Sequence, residues 1–312
     1  MTFTFRPAAR ENVGLIVGLS GASGSGKTYT ALRLAAGIAG ARPFAVIDTE
    51  AGRAKHYADQ FTFDHGDLTP PFTPARYAEA IAAADRGGYP AIVVDSMSHE
   101  WAGDGGILDA QEAELARMAG DDFKRREACK MAAWIKPKMA HKHMVQSLLQ
   151  VRAHLILCFR AEPKIEMVRG ADGKIEIREK QTLTGLHGWI PVTEKTLPYE
   201  LTASLLLLAE RPGVPVPIKL QAQHRALFPL DQPITEASGV ALAAWAHGPA
   251  AEAAEPAPAV LDWLAKVYAA STVADLRAVG RDLKKQKPAM PGKQLAELRA
   301  AYASRLKGLE GH

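Results

Sequence analysis

The sequence predicts an α/β protein: a mostly parallel sheet covered by helices on both faces, with antiparallel additions, followed by a small helical module. Three observations lead there. Strand-sized apolar runs alternate with segments of helical period through the first half of the chain. A Gly/Ser-rich loop stands between the first such run and the first helix. An Ala/Pro/Glu-rich stretch without apolar periodicity then separates these segments from three further helical repeats. The boundaries expected are a core over 1–247, a linker over 248–258 and a small basic helical domain over 259–312.

Taken in order, Val13 to Leu19 reads as a strand, and Thr28 to Ala39 as a helix through Ala31, Leu32, Ala35 and Ile38. Phe44 to Asp48 is a second buried strand and Ala91 to Asp95 a third. Between them lies a helix over Pro74 to Arg86, with Thr73 as its cap and Pro74 at the first helical position. Ile107 to Met118 is a helix, Met131 to Val151 a long one entered or kinked near Pro137, and His154 to Phe159 a fourth strand. Beyond Phe159 the pattern changes. Lys164 to Val168 and Lys174 to Arg178 alternate about Gly170-Ala171-Asp172-Gly173, as a hairpin does. Leu201 to Ala209 and Val216 to Leu220 are further strands around the turn Arg211 to Pro215, so antiparallel additions to the sheet are expected. In the tail, Leu261, Leu264 and Val267, then Leu276, Val279 and Leu283, then Leu295, Leu298, Tyr302 and Leu306 mark three amphipathic helices.

Composition narrows the class. With 47% hydrophobic and 23% charged residues over 312, the chain has enough apolar material for a packed core and is not a disordered polymer. No apolar run reaches the roughly 18 residues of a membrane helix. Met1 to Arg10 lacks a leader-like apolar stretch, and a cytoplasmic protein is expected. Cys129 and Cys158 have neither disulfide nor metal spacing, and Cys158 reads as a buried thiol. Val260 to His312 carries ten Lys/Arg against five Asp/Glu, a net of +5 in a chain whose total is +4. A basic tail fits nucleic acid and fits a solvated helical module equally.

The chemistry concentrates in Gly21-Ala22-Ser23-Gly24-Ser25-Gly26-Lys27-Thr28, two glycines bracketing four residues and then Lys-Thr: the P-loop pattern. Glycines let the backbone curl so that its N–H groups cradle phosphate, and the following helix adds its positive end. Lys27 supplies a point charge for the β- and γ-phosphates of ATP, the Thr28 hydroxyl is a Mg2+ ligand, and Tyr29 follows at the edge of the cradle. Ala91-Ile92-Val93-Val94-Asp95-Ser96 is an apolar strand ending in an acid, placed to hold the same magnesium. Val46-Ile47-Asp48-Thr49-Glu50 ends another strand in a carboxylate able to orient attacking water.

On these motifs, over roughly Val13 to Leu230, the chain resembles RecA-like P-loop ATPases, in particular small phage-encoded ones related to single-strand annealing recombinases. That family has an Ile-Asp-x-Glu strand end with a catalytic glutamate and a Val-Val-Asp-Ser acidic strand. The resemblance implies a RecA-like core, Glu50 as the water-activating base, Asp95 as the magnesium acid and ATP-dependent assembly on single-stranded DNA in recombination or annealing, within a bacterial host's cytoplasm. Arg160 follows the fourth strand, where the family keeps a γ-phosphate sensor that is usually Gln; a sensor and a structural salt bridge both remain open. Lys219 lies near the place where RecA proteins supply a lysine to a neighbouring subunit's nucleotide. The long N-terminal oligomerisation segment of full-length RecA proteins has no counterpart here, yet self-association in a ring or filament is implied.

Residues for a DNA surface are Lys124, Arg125, Arg126, Lys136, Lys138 and Lys142, the hairpin Lys164 to Lys180 with the loop to Pro198, and Trp189. Lys284, Lys285 and Lys287 add charge in the tail, whose helices are a candidate docking module for a protein partner. His99, Glu100 and Trp101 follow Asp95 and are candidates to line the site, although a lone His there is more often a packed, hydrogen-bonded residue. His141 and His143, two apart on a helix, share no face and read as solvated. Two other functions fit the motifs: an ATPase motor or switch of another phage pathway, such as assembly or packaging, without direct DNA binding, and a small-molecule kinase.

Overall fold

A computed structural model describes residues 10, 13–163, 165–169, 175–179, 188–248, 258–286 and 292–310. The chain divides into two compact units, Met1–Gly248 and Pro249–His312.

In the first unit, β1 (Ile16–Gly21) leads through the glycine loop into α1 (Lys27–Ala39), and β2 (Phe44–Asp48) follows. Every residue of β1 and β2 is buried, as central parallel strands require. β3 (Phe63–Asp67) was not legible in the pattern, because Asp64, His65, Gly66 and Asp67 lack the apolar run of the others. Among the described residues it is an edge strand, pairing only with β2, and an edge tolerates polar residues. α2 (Pro74–Arg86) begins as expected: Thr73 Oγ1 accepts from the Arg76 N–H, and Pro74 occupies the first turn. β4 (Ala91–Asp95) is wholly buried.

Between β4 and the next strand lies a helical excursion of α3 (Ser98–Ala102), α4 (Ile107–Ala119), α5 (Phe123–Cys129) and α6 (Ile135–Leu148). α5 holds Lys124, Arg125 and Arg126 and is capped by Asp122, whose Oδ1 accepts from Arg125 N–H at 3.1 Å. The long helix expected over Met131 to Val151 is shorter, and Pro137 does not kink it. A 3₁₀ turn, Ala132–Trp134, precedes α6. Pro137 falls in the first helical turn, where a missing N–H leaves no intrahelical bond unmade.

β5 (His154–Pro163) runs past its neighbours. β6 (Ile165–Arg169) and β7 (Ile175–Glu179) pair antiparallel as the expected hairpin, in a two-stranded sheet of their own; Lys164, residues 170–174 and residues 180–187 of the expected DNA loop lie outside the described residues. β8 (Trp189–Pro191) pairs antiparallel with the end of β5, and the short α7 (Leu197–Glu200) follows. β9 (Ala203–Leu207) joins the sheet parallel to β1, so the expected antiparallel additions are β8 and β10 (Pro215–Leu220) rather than β9. Only β10 turns back on β9, with Pro215 and Pro217 on the outer edge where a strand can spare N–H donors. Among the described residues, eight strands form the main sheet, in the order β10-β9-β1-β5-β4-β2-β3 with β8 attached to β5.

Two apolar clusters cover the sheet. One joins α1 and α8 (Glu236–His247) to Leu19, Val46, Val93 and Ile156, and the other joins α2 and α6 to Ile47, Val94 and Leu157. α1 and α8 approach closely. A Cβ at Gly37 would stand 2.0 Å from the Glu236 carbonyl oxygen, and one at Gly239 2.2 Å from that of Leu34, so neither position admits a side chain. Arg33 on α1 closes the contact with a two-pronged bond to Glu236, at 2.9 and 2.6 Å.

His154, at the start of β5, accepts the Leu15 N–H on Nδ1 at 3.3 Å. Burial, with His247 adding to it, depresses its pKa to about 4. The folded protein thus keeps this imidazole neutral while the unfolded chain protonates it near its ordinary value. Stability is complete above about pH 6.5 and declines as pH falls toward 4, by about 2 kcal/mol at pH 5. The melting temperature should drop by roughly 4–8 °C between pH 7.5 and pH 5 on this account. His154→Asn, which keeps an acceptor but cannot titrate, should flatten that dependence; equal drops in both proteins would refute it.

The second unit consists of α9 (Pro258–Ala269), α10 (Val273–Gln286) and α11 (Gly292–Glu310), packed through Trp263, Val267, Leu276 and Leu298. Of the expected linker, 249–257 lie outside the described residues, as does Lys287; Lys284 and Lys285 are on α10. No helix among the described residues is long and apolar enough to cross a membrane.

Candidate nucleotide-binding site

The carboxyl ends of β1, β2 and β4 lie level with the middle of β5, which continues beyond them. Gly21 is in register with Arg160, Asp48 with Asp95, and Asp95 with Cys158. Ligands of open α/β sheets collect at this rim. Here it opens into a cavity of about 590 Å³ lined by Gly21 to Gly24, Gly26 to Tyr29, Glu50, Arg53, Tyr57, Asp95 and Arg160.

The glycine loop has the curl that its composition predicts. Gly24 and Gly26 take φ of 78° and 81°, a region that side chains resist. Ser25 is fully buried, its hydroxyl donating to the Ala22 carbonyl at 2.9 Å, and its own carbonyl accepts from Gly213 N–H at 3.1 Å. The turn Arg211 to Pro215 therefore backs the loop. α1 starts at Lys27 with no side-chain cap, which leaves its first N–H groups for an anion. Lys27 Nζ donates to the Ala22 carbonyl at 2.8 Å. Burial lowers the pKa of this ammonium, with Asp95 and Glu50 opposing.

Two acids face the loop. Thr28 Oγ1 donates to Asp95 Oδ2 at 2.5 Å, so the hydroxyl and carboxylate expected to hold magnesium are adjacent. Burial pushes Asp95 up to about 6, the Thr28 hydroxyl opposing and the Glu50 charge adding to the shift. Glu50 stands on a loop that sequence reasoning read only at its ends. Asp48 organises it: Oδ1 accepts from the Glu50 N–H at 2.6 Å, Oδ2 from the Ala54 N–H at 2.9 Å, and His65 Nε2 lies 3.2 Å from Oδ2. Thr49 ties this loop to β4, its hydroxyl accepting from Ser96 N–H at 2.8 Å and lying 2.7 Å from His99 Nδ1. The Glu50 carboxylate is held by Arg53 at 2.7 Å and Arg160 at 2.9 Å. Of the two readings of Arg160, the salt bridge is the contact present.

The residues fit ATP and magnesium. Positive-φ glycines, an uncapped helix start and a half-buried lysine form an anion cradle, and a hydroxyl beside a carboxylate is an oxygen donor set for a hard cation. Tyr29 is exposed at the mouth, its ring 5.6 Å from Tyr57 and 5.7 Å from Phe61.

Other expected residues are engaged elsewhere. Lys219 Nζ donates to the carbonyls of Tyr199 and Leu201, at 2.5 and 2.6 Å. His99 is packed, stacked 5.0 Å from Phe72 and bonded to Thr49. The solvated reading holds for His143, which is exposed, but His141 is buried with Nδ1 3.0 Å from the Glu100 carboxylate. Its turn of α6 faces the core while the residue two further on faces out. Trp189 is half-buried and packs on Ala161 and Leu206.

A second cavity, of about 820 Å³, opens beside the first, and Glu162 lines both. Its walls include Trp101, Trp134, Ile190 and Val192, with Lys138 and Lys195 among them. The two indoles stack at 5.8 Å, and Lys138 Nζ lies 5.9 Å from the Trp134 ring. Thr193, also lining, has a buried hydroxyl with no hydrogen-bond partner among the described residues. Sequence reasoning did not find this cleft, since its aromatics come from two helices and its floor from β8.

Among solved structures, the chain is similar to a KaiC-like protein from the hyperthermophilic archaeon Pyrococcus horikoshii OT3, at 14% identity and a TM-score of 0.32, over 63% of this chain and 72% of that one. No curated protein matches it in sequence. Residues 14–190, more than half of the chain, match the family described as an AAA domain. With that match and a P-loop seated at the rim of a parallel sheet, the chain belongs to the AAA domain family of P-loop ATPases.

Proposed function

We propose that this ATPase works on single-stranded DNA, in recombination, annealing or replication of the phage type, and that nucleic acid stimulates its hydrolysis of ATP. The observation that carries the reading is the aromatic and basic cleft adjoining the nucleotide cavity through Glu162. Stacked indoles offer π-faces to unpaired bases, and Lys138 and Lys195 offer charge to phosphates. Lys142 is exposed on the same helix as Lys138, whereas Lys136 and Arg126 are paired with Glu114 and Glu112.

In hydrolysis, the loop N–H groups and Lys27 bind and orient the triphosphate. Thr28 Oγ1 and Asp95 would hold magnesium, which supplies charge neutralisation at the phosphate oxygens. A Glu50 carboxylate oxygen takes the proton of a water whose oxygen bonds the γ-phosphorus while the bond to the bridging oxygen of ADP breaks. As for RecA-like ATPases, self-association coupled to ATP belongs to this proposal. The second unit serves it as a basic module for DNA or for a protein partner.

The test is ATP hydrolysis with and without poly(dT), together with poly(dT) binding at about 50 and 200 mM salt. Stimulation is expected, with affinity falling at least tenfold between the two salts if three or more phosphates are contacted. Trp134→Ala should weaken binding by about 1–3 kcal/mol. Absence of binding at the lower salt would sink the DNA reading. Hydrolysis indifferent to DNA would instead favour a motor or switch, and phosphoryl transfer to an added acceptor a kinase.

A further inference from the structure

We propose that Arg160 is a positioning residue that withholds Glu50 from water and releases it when the aromatic cleft is engaged. The inference rests on the reading of Glu50 as the base.

Both oxygens of the Glu50 carboxylate are taken by guanidinium groups. Oε2 accepts from Arg53 Nη1 at 2.7 Å, and Oε1 accepts from Arg160 Nη2 at 2.9 Å and Nε at 3.3 Å. A general base must present a lone pair to the proton it removes, and three guanidinium N–H groups engage most of the four or so acceptor sites of this carboxylate. The two arginines differ in what holds them. Arg53 lies three residues from Glu50 on the same loop and moves with it. Arg160 comes from another strand, and its side chain is 52% exposed while that of Glu50 is 13% exposed, so the arginine is the partner free to leave.

The Arg160 backbone is strung between the walls of the cleft. Its N–H donates to Ser98 Oγ at 2.9 Å, on the short helix that carries Trp101. Its carbonyl accepts from the N–H of Val192, a lining residue, at 2.7 Å, and Ala161 pairs with Pro191. A ligand that spreads or draws together Trp101 and Val192 therefore acts on both ends of the Arg160 peptide. Glu162, two residues on and on the same face of β5, offers the displaced guanidinium another carboxylate. Binding energy in the cleft is thereby converted into release of one carboxylate oxygen at the rim.

The test compares Arg160→Ala and Arg160→Gln with the parent in steady-state ATP hydrolysis, with and without poly(dT). Both variants should raise kcat without DNA about five- to tenfold, the effect of removing about 1–1.4 kcal/mol of ground-state stabilisation. KM for ATP should stay within about twofold, and poly(dT) should add less than about twofold. Glutamine keeps the polar surface and gives the same reading should the alanine variant not fold. A kcat without DNA equal to the parent's or lower, in both variants, overturns the proposal and returns Arg160 to the γ-phosphate. The double variant Glu50→Gln with Arg160→Ala separates the two ideas. It should be inactive; turnover in it would sink Glu50 as base. A raised rate in the single variants, beside a parent that poly(dT) neither binds nor stimulates, would support the clamp while the DNA reading fails.

Discussion

Lys27→Ala is expected to weaken binding of magnesium-ATP at least about thirtyfold, from the loss of charge-assisted bonds to two phosphates at roughly 1.5–3 kcal/mol each with partial compensation by water. The argument is local. Lys27 stands at the start of α1, half-buried, and burial already disfavours its charge, so the site retains a cation that only an anion makes favourable. Among the described residues no other Lys lines the cavity, and Arg53 and Arg160 are occupied with Glu50. Titration of a fluorescent ATP analogue would measure the change. An affinity within threefold of the parent would mean that the glycine loop does not seat phosphates, and the DNA reading would fall with it.

Glu50→Gln should leave nucleotide binding within about threefold of the parent and lower kcat by roughly 10²–10⁴, the range of general-base contributions. Glutamine preserves the shape of the side chain and can still accept one bond from Arg53 or Arg160. It cannot take a proton from water at neutral pH. The loop should persist, because its geometry depends on the buried Asp48 carboxylate and on Thr49, neither of which is altered. Phosphate release in single-turnover conditions is the measurement. Near-parent hydrolysis would assign the proton to another group.

The phosphate cradle was legible in the sequence because its chemistry and its backbone geometry use the same residues. Gly24 and Gly26 are there for positive φ, and Lys27 and Thr28 follow at fixed spacing. Strands β1, β2, β4 and the start of β5 were legible because total burial leaves an unbroken apolar run. Strand β3 was not, since an edge next to a solvent-facing groove can be built from Asp, His and Gly. The direction of β9 was hidden for a different reason: a short apolar run says that a strand is buried and nothing about its neighbour.

Long-range polar pairs were the least visible. The bond from Arg160 to Glu50 spans 110 residues, and that from His141 to Glu100 spans 41. Neither pair has a local signature, and burial of His141 follows only from which side of α6 meets the sheet. The cleft shows the same limit. Trp101 and Trp134 meet through the packing of α3 against the turn before α6. Local spacing predicted neither.

The glycine contact between α1 and α8 limits how this molecule can use its fuel. With an oxygen of each helix standing where the other's methyl would be, the pair cannot ratchet or rotate without collision. Lys27, at the head of α1, is thereby fixed to the last helix of its unit as to an anvil. Any displacement of the phosphate-binding helix therefore carries α8 with it, as one piece.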